Sequence, residues 1–205
     1  MREEDIQCCE ELGIDVLGFV VEYPREVPWN LTCKQAKELI AVAKRPTCIV
    51  TGGLPEKVIA LAKELNPGMV QLHFKETLAQ TAKIAAELKR SGIQTIRAVD
   101  RGSAIEALCQ TDIAAILVDS RTSDNAATNI QAIDAALFNR IKLQSSKPLI
   151  IAGGITPENV GDIIAQTRAN WIDVMTGVER SPGVKDRAKI ELLVRGATPT
   201  GVPIQ

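Results

Sequence analysis

Aromatic residues are scarce, with three Phe, two Trp and one Tyr in 205 residues, and there is a single histidine, His73. That scarcity argues against a haem pocket and against an aromatic stacking platform. No apolar run approaches the roughly 20 residues that a bilayer-spanning helix needs. The opening MREEDIQ is too acidic for a signal peptide. Neither sign of charge dominates: 24 Lys and Arg stand against 25 Asp and Glu, spread along the chain. No nucleic-acid or membrane partner is therefore expected. The cysteines, Cys8, Cys9, Cys33, Cys48 and Cys109, are odd in number and fit no metal-binding spacing. They read as reduced thiols in a cytoplasmic protein, with no metal and no organic cofactor implied. No GxGxxG follows the first apolar run, which disfavours a dinucleotide fold. No low-complexity segment or domain boundary interrupts the chain, so residues 1–205 are expected to form one domain.

What is present is a series of short apolar runs separated by helical patterns. Residues 3–12 read as a helix ended by Gly13. Strands are expected at Val16–Val21, Thr47–Thr51, Met69–Leu72, Thr95–Val99, Ile113–Val118 (ending in Asp119), Leu149–Ala152 and Trp171–Val174. Helices are expected over Cys33–Lys44, Pro55–Leu65, Glu76–Arg90, near Ser103–Gln110, over Ile130–Leu143, from Pro157 behind an N-cap at Thr156, and over Asp186–Val194. One helix followed by seven strand–helix units means a parallel sheet with right-handed crossovers. Single buried strands, each followed by one helix, favour a TIM (β/α)8-type barrel, in which this count leaves the first strand missing.

Two strand ends carry the chemistry. PLIIAGGITPENV places Gly153-Gly154 at the end of an apolar run, with Thr156 suited to an N-cap and Pro157 to a first helical position. The next strand ends in Met175-Thr176-Gly177. Paired strand ends with glycine and exposed backbone N–H groups suit a phosphate, and the last two strands of such barrels often hold one. The plainer reading is a pair of ordinary turns. Asp119 closes a strand where barrel catalysis occurs; its plainer reading is a capping or turn aspartate.

In order along the chain, Asp15–Val21 with Tyr23-Pro24, VQLH at 70–73, Ile116–Asp119, AGGITPENV at 152–160 and DVMTGVE with SPGVKD at 173–186 form a set. This set resembles the phosphoribosylanthranilate isomerase family of tryptophan biosynthesis, over nearly the whole chain. The resemblance implies an Amadori rearrangement of a phosphorylated aminoaldose into an aminoketose, which needs a general acid at the ring oxygen and a base at C2. It makes Asp119 the acid and gives the substrate phosphate to Gly153, Gly154, Thr176 and Gly177. Asp173 matches an aspartate pointing into the pocket. Arg25 matches, loosely, an arginine for the anthranilate carboxylate; a solvated surface cation is its plainer reading. Gln71 and His73 fall at a strand end facing substrate, where a lone histidine is usually a structural hydrogen-bonder. Arg97 is expected inside the barrel, lending positive potential to the mouth.

Three departures from the family pattern stand out. Met1–Asp5 aligns just after the family's basic cysteine, so neither that cysteine nor its strand is among these residues. The loop after Asp119, Ser120–Asn129, lacks the family's glycines and lysine, and Phe74 replaces the usual glycine after VQLH. Weak or no turnover is therefore expected of these 205 residues. The open edge has two expected outlets: pairing by Gly201–Gln205, against which Pro203 argues, or cover by a second copy in a homodimer. Two other functions stay open. One is a non-catalytic sugar-phosphate-binding barrel; the other is a different phosphosugar enzyme using Asp119 with His73 or Cys48.

Overall fold

A computed structural model describes residues 1–99, 112–120 and 135–198. The expected helix near Ser103–Gln110, most of the Ser120–Asn129 loop, Cys109 and the Gly201–Gln205 tail lie outside the described residues. The chain opens with helix α1 (Glu3–Glu11), whose first turn holds Glu3, Glu4 and Asp5, acids suited to the positive end of the helix dipole. Seven strands then form one sheet: β1 (Leu17–Val20), β2 (Thr47–Thr51), β3 (Met69–Leu72), β4 (Gln94–Val99), β5 (Ala115–Asp119), β6 (Leu149–Ala152) and β7 (Trp171–Asp173). Each pairs in parallel with the next, in strict sequence order. The described helices after β1 are α2 (Cys33–Val42), α3 (Pro55–Leu65), α4 (Leu78–Arg90), α5 (Ala135–Gln144), α6 (Val160–Thr167) and, following the last strand, α7 (Arg187–Ala197).

Local chemistry sets several boundaries. Thr32 and Thr77 each accept a hydrogen bond from the backbone N–H three residues on, and Gln35 and Gln80 bond back. These reciprocal caps start α2 and α4, placing the start of α4 at Leu78 rather than Glu76. Helix α6 begins at Val160, later than Thr156-Pro157 suggested. The Asn159 side chain accepts from the Thr156 backbone N–H (2.8 Å) and donates to the Gly154 carbonyl (2.9 Å). That clasp holds residues 157–159 as a turn before the helix proper. After β7 a 3-10 turn (Thr176–Val178) leads into an unforeseen hairpin of β8 (Glu179–Ser181) and β9 (Val184–Lys185).

The sheet is strongly curled. Gln71 on β3 and Asp173 on β7 have side chains 3.4 Å apart; four strand spacings of ~4.8 Å would separate them by about 19 Å in a flat sheet. Alternate residues therefore face two buried layers. Ile49, Val70, Leu72, Ile116, Val118 and Ile151 pack with helix residues such as Val58, Ile84, Leu88, Phe138 and Leu193. Cys48, Met69, Ile96, Leu117 and Ile150 form the inner cluster.

Among the described residues no strand pairs with the outer edge of β7. Trp171, in register with inward-facing Ile150, is accordingly 46% exposed. The outer edge of β1 is closed at its upper end by the chain itself: Leu31 N–H donates to the Val20 carbonyl and Glu22 N–H to the Leu31 carbonyl.

Candidate active site

The inward side chains at the C-terminal ends of β3, β5 and β7 meet. Asp119, the last residue of β5, is 6% exposed, and its Oδ2 lies 3.2 Å from His73 Nε2. His73 follows β3 and extends its ladder, its N–H donating to the Thr51 carbonyl at 3.1 Å. Its Nδ1 lies 3.1 Å from Gln71 Nε2, and the same amide nitrogen donates to Asp173 Oδ2 at 3.4 Å. Four residues from three strands thus form one polar chain across the mouth. Cys48 lies below it, where burial, and next the Asp173 charge, push its thiol far above the ordinary range. It packs as an apolar wall residue.

The glycine turns are shaped by close approach. Gly153 has φ +89°, and a Cβ there would strike Asp119 Oδ1 and Ser120 Oγ. Only glycine lets the β6 turn lie against the β5 carboxyl. Ser120 Oγ donates to the Gly153 carbonyl at 3.1 Å, tying the two strand ends together. A Cβ on Gly177 would collide with the Ile155 carbonyl, so the turns after β6 and β7 press backbone to backbone. Lys185 Nζ braces the second turn through the Met175 carbonyl (2.9 Å) and Glu179 Oε1 (3.1 Å).

A second glycine pair, Gly52-Gly53, follows β2, and its loop is occupied. Glu76 Oε1 accepts from the Gly53 N–H at 2.7 Å, and its Oε2 accepts from Phe74 N–H at 3.2 Å. At Gly153, Gly154, Thr176 and Gly177, no side chain among the described residues accepts from the backbone N–H. Glu76 did not stand out in the sequence, because the Gly53 N–H it receives lies on another loop.

The remaining candidates divide. Tyr23 donates from its hydroxyl to the His73 carbonyl (2.6 Å) and sets its ring edge-on to Phe74, with centroids 5.9 Å apart. The Arg25 guanidinium lies 5.7 Å from the Phe74 ring centre. Phe74 thus links Arg25 to the strand end that carries His73. Arg97 does not point into the barrel. Its Nη1 donates to Thr81 Oγ1 on α4 at 2.8 Å, and its Nη2 to the Glu76 carbonyl at 3.4 Å. Ile96 and Ala98 take the inward positions, so Arg97 belongs to the sheet–helix layer and its expected place in the mouth is withdrawn.

A family model described as N-(5'phosphoribosyl)anthranilate (PRA) isomerase matches residues 28–196. The chain belongs to the phosphoribosylanthranilate isomerase family. It is 35% identical to the N-(5'-phosphoribosyl)anthranilate isomerase of Pseudomonas fluorescens, over 94% of this chain and 92% of that one. Among solved structures, phosphoribosyl anthranilate isomerase from Thermotoga maritima superposes with a TM-score of 0.82 at 28% identity, covering 96% of this chain and 94% of that one. A family enzyme in complex with reduced 1-(o-carboxyphenylamino)-1-deoxyribulose 5-phosphate superposes at 0.79, also at 28% identity, over 96% and 93% of the two chains. The curled parallel sheet is thus the TIM-barrel-like α/β fold of the isomerase family.

Proposed function

We propose that the chain is an isomerase of tryptophan biosynthesis, converting N-(5'-phosphoribosyl)anthranilate to its aminoketose by an Amadori rearrangement. The observation that carries this reading is the inward Asp119 carboxyl, set between His73 and the Gly153 turn. Asp119 gives its proton to the ring oxygen as the C1–O bond breaks, leaving a C1–N iminium. Loss of the C2 proton to a base gives a neutral enolamine bearing the C2 hydroxyl; C1 then gains a proton as that hydroxyl gives its own up, leaving the ketone. The backbone N–H groups of Gly153, Gly154, Thr176 and Gly177 take the phosphate. Arg25, held over Phe74, meets the anthranilate carboxylate as a charge-assisted partner. The setting proposed is the cytoplasm, which keeps Cys8, Cys9, Cys33 and Cys48 free.

Asp119→Asn tests the assignment. The loss of kcat expected is about 10²- to 10⁴-fold, with binding of the reduced product analogue retained. Unchanged turnover overturns it. A second reading, a sugar-phosphate-binding barrel without turnover, is favoured by one observation. The Cys48 thiol, the one described cysteine on the inner wall, is buried and held in its neutral form, so it supplies no base. Analogue binding without conversion by the wild-type chain would decide for that reading.

A further inference from the structure

We infer that Gln71 and Asp173 are positioning residues that fix the tautomer of His73 and, through it, the bearing of the Asp119 carboxyl. The inference rests on Asp119 as the reacting acid, but the geometry behind it is independent. An ionised carboxylate only accepts hydrogen bonds, so Asp173 Oδ2, 3.4 Å from the Gln71 amide, fixes which end of that amide faces it. The reverse orientation would set the amide oxygen against carboxylate oxygen. Gln71 Nε2 carries two hydrogens; with one on Asp173, the other is directed to His73 Nδ1 at 3.1 Å. A ring nitrogen that receives a hydrogen bond is the bare one, so the ring proton sits on Nε2. From there it is donated to Asp119 Oδ2, 3.2 Å away. Gln71 is 5% exposed and Asp119 6%, so water does not readily replace a partner lost to either of these two side chains.

The orientation at β7 thereby reaches β5 through two side chains of the β3 end, and each link is directional. Asp173→Asn breaks it at its origin. An asparagine amide can donate to Gln71 Oε1, which removes the reason for Gln71 to present hydrogens to the imidazole.

The chain has one histidine, so 15N-histidine labelling gives one imidazole spectrum needing no assignment. At about pH 9, where an ordinary imidazole is neutral, the wild-type chain is expected to show bare Nδ1 and protonated Nε2. Asp173→Asn and Gln71→Met, both close in volume to the residues they replace, are expected to move the tautomer ratio toward Nδ1–H by about threefold to tenfold, one hydrogen bond's worth. They should lower kcat with little change in KM. The idea is overturned by a wild-type ring protonated on Nδ1, or by a ratio that neither variant moves. Turnover tests the other layer separately. An inactive chain whose tautomer responds to both variants keeps the relay and loses the isomerase reading; an Asp119-dependent enzyme whose tautomer ignores them does the reverse.

Discussion

At the scale of single residues, the mouth depends on missing side chains as much as on those present. Gly153 combines a positive φ with a Cβ position already taken by Asp119 and Ser120. Gly153→Ala therefore strains the turn by about 1 kcal/mol or more and pushes the Asp119 carboxyl from its seat. The expected result is a kcat loss larger than the stability loss explains, measured by steady-state kinetics beside urea titration. Asp119 was legible in the sequence because it ends an apolar run, where a barrel strand delivers its side chain to the mouth. The direction of Arg97 was not. In a barrel both faces of a strand are buried, so the apolar pattern of β4 does not distinguish the interior from the helix layer. The hydrogen bond to Thr81, sixteen positions away, settles it and leaves no local trace.

At the scale of elements, β2, β3 and β6 were located to the residue, because each centres on a short apolar stretch buried on both faces and bounded by turn residues. The β8–β9 hairpin was invisible for the opposite reason: ERSPGVK is polar and shows no alternation. Its role is mechanical. The Lys185 backbone N–H donates to Asp5 Oδ1 at 3.2 Å, and Arg2 grips the same carboxyl through its backbone N–H and its side chain. Burial pushes this carboxyl up, but the bonds from Arg2 and Lys185 outweigh it and hold Asp5 below its usual value. A depressed carboxyl adds stability above its unfolded value of ~3.9 and loses it as pH falls through the lower folded value. Asp5→Asn is expected to cost about 1–3 kcal/mol at pH 7. The difference from wild type should narrow below about pH 4; urea unfolding at both pH values checks this.

At the scale of the whole molecule, the outer edge of β7 is unpaired among the described residues and Trp171 beside it is half-exposed. A second copy there predicts concentration-dependent sedimentation and a blue shift of tryptophan emission on association; a chain that sediments as a monomer at high concentration rejects it. Edges were legible from the strand count, but the Leu31 bridge that closes the top of β1 was not, since a single bridging residue carries no pattern. The carboxylate of Glu76 has a last consequence. Two of the barrel's loops open with twin glycines, yet one arrives with its anion built in. Binding stoichiometry should therefore be a single equivalent: calorimetric titration with a simple phosphate monoester is expected to saturate at one molecule per chain, with no weaker second step.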